Sequence, residues 1–152
     1  MFTETSIVGA ETSDLMLTMG TVLELAKDVN PNELIDNRAA YNNYAVWVPV
    51  RNDDGTYSKK LTLISEHKKV YAGYMPLTKE NISKVVFSAL GNTYGWGGSL
   101  NSDDCSGYMR NVYKCFGMEL ARNTTWQTSM PMEKVDMQYM PKEERIKFLD
   151  AL

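Results

Sequence analysis

The sequence predicts an α+β fold in which a small antiparallel β-barrel precedes a helical half, and three observations predict it. Between Ile7 and Tyr74, short runs rich in branched and aromatic residues alternate with turn signals. From Thr78 onward, apolar residues recur at spacings of three and four, the period of one helical face. Within that second half, a glycine-aromatic loop, Tyr94-Gly95-Trp96-Gly97-Gly98, is followed by Asp104-Cys105-Ser106-Gly107, which places a cysteine at a helix start.

In chain order, Thr21–Leu25, Tyr44–Val50 and Lys60–Ile64 read as strands, and Asn52-Asp53-Asp54-Gly55 between the last two is a hairpin signal. Pro49 cannot donate to a ladder, so it is expected at an edge or bulge. Ile35 through Tyr44 is more polar and reads as a loop. Thr78 can cap a helix carrying Ile82, Val85, Val86, Ala89 and Leu90 on its core stripe, ended by Gly91. Cys105, Met109, Val112 and Phe116 define the face of the next helix, with Asp104 as its cap and Gly117 as its stop. A short helix is expected over Thr124–Met130. A final one over Pro141–Leu152 places Ile146, Leu149 and Leu152 on one face.

The 152 residues suffice for one medium domain or two small ones, and a formal charge of −3 gives no electrostatic case for nucleic acid. No run of eighteen apolar residues exists, so no membrane insertion is expected. Met1-Phe2-Thr3-Glu4-Thr5 lacks the basic start and apolar centre of a signal peptide, which fits either a cytoplasmic protein or an exported one without its leader. Cys105 and Cys115, ten residues apart on one helix, would stand about 15 Å apart, too far for a disulfide. Together with His67 they lack the paired short spacings of zinc ligands, so neither a metal nor a cofactor is expected.

Cys105 carries the chemistry. The first turn of a helix presents unpaired N–H groups that favour an anion, and the thiolate is the nucleophilic form of a thiol. Glycines upstream let the main chain approach a substrate, while Tyr94 and Trp96 can wall a cleft.

Three blocks make a resemblance specific: Leu90-Gly91 with Tyr94-Gly95-Trp96-Gly97-Gly98, then Asp104-Cys105-Ser106-Gly107, then Phe116-Gly117-Met118, Leu120, Arg122 and Gln127. Together they resemble the NlpC-type cell-wall cysteine peptidases, a papain-like family, with Ala121 where that family usually has Pro. The resemblance implies that residues 77–152 are the N-terminal part of such a domain. It also implies that Cys105 attacks a γ-D-glutamyl-diamino acid bond of the peptidoglycan stem, in the cell envelope or outside it. Tyr94, Trp96, Asp104 and Ser106 would form the substrate pocket, with Tyr94 and Asp104 holding the amine of an N-terminal L-alanine. Residues 1–76, through Trp47-Val48-Pro49-Val50-Arg51, Asp54-Gly55 and Gly73–Thr78, resemble the bacterial Src-homology-3-like barrel that precedes one branch of the family.

A cysteine peptidase also needs a histidine base, which in this family follows the cysteine helix. Nothing after Cys105 is a histidine, and His67, in Ser65-Glu66-His67-Lys68-Lys69, reads as a solvated turn residue. This chain alone is therefore expected to be inactive or nearly so. One account makes it the front of a longer peptidase, which would leave Met109, Val112 and Phe116 uncovered and open to self-association. The other makes it a non-catalytic module that binds stem peptides.

Overall fold

The computed structural model describes residues 6–7 and 16–151. Residues 1–5 and 8–15 of the expected barrel half, and Leu152 of the final helix, lie outside the described residues. The strands are β1 (Ser6–Ile7), β2 (Met16–Leu17), β3 (Glu24–Leu25), β4 (Leu34–Ile35), β5 (Arg38–Ala39), β6 (Asn43–Arg51) and β7 (Tyr57–Ser65). Four helices follow: α1 (Lys79–Phe87), α2 (Cys105–Lys114), α3 (Thr124–Thr128) and α4 (Lys142–Asp150).

The β6–β7 hairpin is the spine of the first half, in register from Asn43 opposite Ser65 to Arg51 opposite Tyr57. Its loop forms where the sequence signals it. The Asp54 carboxylate accepts hydrogen bonds from the Thr56 N–H (2.9 Å) and hydroxyl (2.6 Å), and Gly55 takes a φ of 83°. Alternation along both strands then sorts the side chains. Val46, Val48 and Ile64 pack with Leu17 on one face, and Ala45 and Leu63 with Ile35 and Ala40 on the other.

The strands are antiparallel and precede the helices, as expected, but the described residues do not close a barrel. They form three separate sheets, ordered β1-β2, β3-β6-β7 and β4-β5. β3 pairs with β6 at Glu24 opposite Trp47 and Leu25 opposite Val46, and among the described residues no strand pairs with the outer side of β6 beyond that point. Pro49 lies in this stretch, exposed and opposite Lys59 of β7. The segment expected as a loop from Ile35 holds a tight hairpin instead. Asp36 and Asn37 turn it with φ of 49° and 60°, the two positive angles that a two-residue turn of this kind demands.

Among the helices, Thr78 caps α1 by accepting the Asn81 N–H at 3.2 Å. Val85 is fully buried, and Ile82, Val86 and Ala89 pack partly around it. Leu90 departs from the expected stripe. The helix ends at Phe87, and Leu90 falls past the last turn, 77% exposed. Val85, Val112, Cys115, Phe116 and Met19 form the second core, in which a fully buried Val contributes about 1.5–3 kcal/mol. Met19 reaches this core from the strand half, and the Met75 N–H donates to the Cys115 carbonyl at 3.0 Å. Helices α3 and α4 bury no residue completely, and the Ile146–Leu149 face of α4 is exposed. Among the described residues no helix is long and apolar enough to cross a membrane.

Candidate active site

Helix α2 is built from its two ends. At its start, Asp104 takes an extended conformation and its Oδ1 accepts the Gly107 N–H at 2.7 Å, so Cys105 occupies the first helical position. At its finish, Gly117 turns left-handed with a φ of 80°. The Met118 N–H then donates to the Tyr113 carbonyl and the Gly117 N–H to the Lys114 carbonyl, each at 3.1 Å. Between the ends, the buried face is not the expected stripe. Ser106, Gly107, Asn111, Val112, Cys115 and Phe116 turn inward, whereas Cys105 and Met109 face outward. Val112 and Phe116 are thus covered by Met19 and α1, and the bare apolar face expected for this helix shrinks to Met109.

Exposed Cys105 opens onto a groove of about 430 Å³ between the end of α1 and the start of α2. Tyr94, Asp103 and Asp104 line it with Cys105, and Leu90 and Tyr108 form its apolar side. The Tyr108 hydroxyl donates to the Val86 carbonyl at 2.5 Å, which ties the two helices together beneath it. A parallel bridge joins Tyr94 to Asp103, with the Gly95 N–H donating to the Asp103 carbonyl at 3.2 Å. Two of the expected pocket residues stand elsewhere. Trp96 opens the short 3-10 helix Trp96–Asn101 and is 84% exposed outside the groove lining, and Ser106 is buried beneath the helix tip.

The two adjacent carboxylates have unlike surroundings. Asp104 is clamped by Arg122, with Nη1 donating to Oδ1 at 3.0 Å and Nη2 to Oδ2 at 2.8 Å, and the Ser106 hydroxyl adds a bond at 3.2 Å. Arg122 first, and then the Gly107 N–H, hold the Asp104 carboxyl well below the usual carboxylate range. Asp103 is pushed up from its ordinary value, by burial first and by the charge of Asp104 second, against weaker pulls from Arg122 and the Asn111 amide. That amide donates to Asp103 Oδ1 at 2.8 Å. Gln127 closes the frame, its Nε2 donating to the Ser106 carbonyl at 3.0 Å and the Ala121 carbonyl at 2.9 Å.

Arg122 and Gln127 stand in the sequence blocks that carry the resemblance, yet their role in holding the helix tip depends on contacts across eighteen and twenty-one residues. Asp103 and Asn111 had no such signal beyond the acidic pair itself. Cys115 is fully buried, its thiol facing the Asn111 carbonyl at 3.5 Å, and burial pushes it up to about 11. His67 lies in an exposed turn after β7, and no histidine is among the described residues lining the groove.

Residues 91–146 match the NlpC/P60 family. None of the curated proteins compared with the chain matches it. Among solved structures, the chain is similar to an NlpC/P60 endopeptidase from Photobacterium damselae subsp. piscicida, with 24% identity and a TM-score of 0.68. The match covers 95% of this chain and 29% of that one, so this chain spans less than a third of that structure's length. The helix-tip cysteine and most of the polar groove lining thus fall within the segment that matches the NlpC/P60 family, and the chain has the α+β fold of the corresponding part of an NlpC/P60 endopeptidase.

Proposed function

We propose that this chain supplies the nucleophile and the peptide groove of a peptidoglycan stem-peptide hydrolase of the γ-D-glutamyl-diamino acid endopeptidase type, working in the cell envelope. The observation that carries the reading is the contrast between its two cysteines: one is exposed at a helix tip on a groove, the other sealed in hydrocarbon. Cys105 Sγ would attack the γ-glutamyl carbonyl to give a thioester as the amine of the diamino acid leaves with a proton, and water would then release the acid. In this reading Tyr94 walls the groove, Asp104 and Ser106 fix the helix tip, and Trp96, exposed outside the groove lining, would contact a longer stem peptide. Residues 1–76 act as a Src-homology-3-like module that packs on residues 77–152 through Met19, Gly20 and Met75.

The missing base decides what this chain does alone. The leaving amine needs a proton donor, and the groove lining described above offers no histidine for it. The same observation favours a second reading, a non-catalytic module that binds stem peptides and does not cut them.

One experiment separates the readings. An L-alanyl-γ-D-glutamyl peptide bearing a chloromethyl ketone in place of the scissile bond should label Cys105 much faster than a sequence-scrambled ketone, while the unmodified peptide is not turned over. Equal labelling by both ketones would overturn the nucleophile. Saturable binding of the unmodified peptide by Cys105→Ala, without preferential labelling of the parent chain, would establish the binding module.

A further inference from the structure

We propose that Asp103, rather than its neighbour Asp104, is the carboxylate that meets a primary ammonium group of the substrate in the Cys105 groove, with the Tyr94 ring beside it. The assignment rests on reading this groove as the substrate site, and it reverses the expectation that Asp104 holds the amine.

Asp104 has little left to offer a ligand. Its Oδ1 already accepts from the Gly107 N–H (2.7 Å), Arg122 Nη1 (3.0 Å) and the Ser106 hydroxyl (3.2 Å), and its Oδ2 accepts from Arg122 Nη2 at 2.8 Å. A guanidinium in this bidentate geometry also matches its charge. An incoming ammonium would have to compete with a cation already in place.

Asp103 has the opposite character. The donor on its Oδ1 is the Asn111 amide, which brings no charge, and that bond aims the carboxyl from the buried side of α2. Asp103 lines the groove, and among the described lining residues there is no Lys or Arg to balance it. A half-buried carboxylate whose nearby cation, Arg122, is bound to its neighbour Asp104 is costly to keep ionised, as its upward shift shows, and an ammonium docking against it offsets that cost.

Tyr94 completes the recognition chemistry. Residues paired across a bridge send their side chains to the same face, so the ring of Tyr94, 59% exposed, and the carboxyl of Asp103 emerge together. A carboxylate beside an aromatic face is a pairing that selects a cation, through ionic attraction and the ring quadrupole together. Cys105 follows two residues later on the same rim, which sets the ammonium close to the attacked carbonyl. The ligand class is therefore a peptide with a free amine near its scissile bond.

Cys105 itself can report the field. Its modification rates with 2-aminoethyl methanethiosulfonate, which carries an ammonium, and with neutral methyl methanethiosulfonate give a ratio that is normalised to a free model thiol. The parent chain should prefer the cationic reagent by about tenfold, Asp103→Asn should fall within about twofold of the model thiol, and Asp103→Glu should keep most of the preference. A parent ratio equal to that of the model thiol would overturn the proposal, as would an unchanged ratio in Asp103→Asn. Should Asp103→Asn fail to fold, the parent ratio and its suppression by added ethylamine decide the matter. Loss of selective labelling by the peptide ketone with this ratio intact would defeat the peptidase reading alone, and the converse would defeat only the Asp103 assignment.

Discussion

Arg122 grips Asp104 through two parallel hydrogen bonds, at 3.0 and 2.8 Å, reaching back eighteen residues to the cap of the helix that carries Cys105. The pair is partly screened on the arginine side, with side-chain exposures of 41% and 13%. One carboxylate thereby serves as both helix cap and ion-pair acceptor. The helix tip is fixed from two directions, by its own first turn and by the segment leading into α3.

That arrangement sets a pH dependence. The folded-state value of Asp104 is depressed, chiefly by Arg122, so the native state binds fewer protons than the unfolded chain in the acid range. The stabilisation is complete above the ordinary Asp value near 3.9 and fades as pH falls below it. Arg122→Leu removes the main cause, so its acid-unfolding midpoint, followed by circular dichroism, should move to higher pH than that of the parent chain. An unmoved midpoint would show the pair to be without energetic consequence.

The two thiols should behave as different chemical groups. Cys115 has no exposed surface and its thiol is pushed up from an ordinary 9.0 to about 11 by burial, so its modification requires an opening of the helical core. Native-state alkylation at pH 8 should therefore modify Cys105 first, with Cys115 slower by on the order of a hundredfold, and Cys105→Ala should abolish the fast phase. The raised value at Cys115 has a second consequence. Its contribution to stability is fully present below about 9 and is lost as pH rises toward about 11. Peptide mapping by mass spectrometry after timed alkylation checks the order.

Gly20 packs directly against the helix that carries the site. A Cβ there would stand 2.6 Å from Lys114 Cβ and 2.8 Å from the Asn111 carbonyl oxygen, on a backbone with a φ of 77°. Gly20→Ala combines left-handed strain with overpacking and should cost about 2–4 kcal/mol in urea unfolding. Asn111 also orients Asp103, so the same substitution should shift the cation preference of Cys105.

What could be read from the sequence divides by the range of the forces involved. The Thr78 and Asp104 caps, the Gly117 stop and the Asn52–Gly55 turn are each settled within a few residues, and all four appear where the sequence places them. The inward face of α2 differs from the periodic stripe because its register is set by distant partners. Gly20 lies against Asn111, while Arg122 and Gln127 draw Ser106 inward, so small and polar residues turn to the core and Met109 turns out. Barrel closure likewise depends on pairing between far segments, which alternation within a strand does not encode. The Asp36-Asn37 turn leaves no periodic signal because its flanking strands are two residues each, too short to show a period.

Gln127 allows the sharpest separation of packing from hydrogen bonding at the site. Its amide nitrogen satisfies the carbonyls of Ser106 and Ala121 together, so Gln127→Ala should cost about 1–3 kcal/mol and loosen α3 from the helix tip. Gln127→Glu keeps the shape but, when ionised, turns an acceptor toward two acceptors. It should be less stable than the Ala variant at pH 7; because the two carbonyls raise its folded-state value, it should regain stability as pH falls from there toward the ordinary Glu value near 4.3, as protonation restores a donor. This recovery runs opposite to the acid loss expected from Asp104, so urea midpoints of the two variants at pH 7 and pH 4.5 separate the effects. A Glu variant that tracks the Ala variant at both pH values would show that the side chain fills space without bonding.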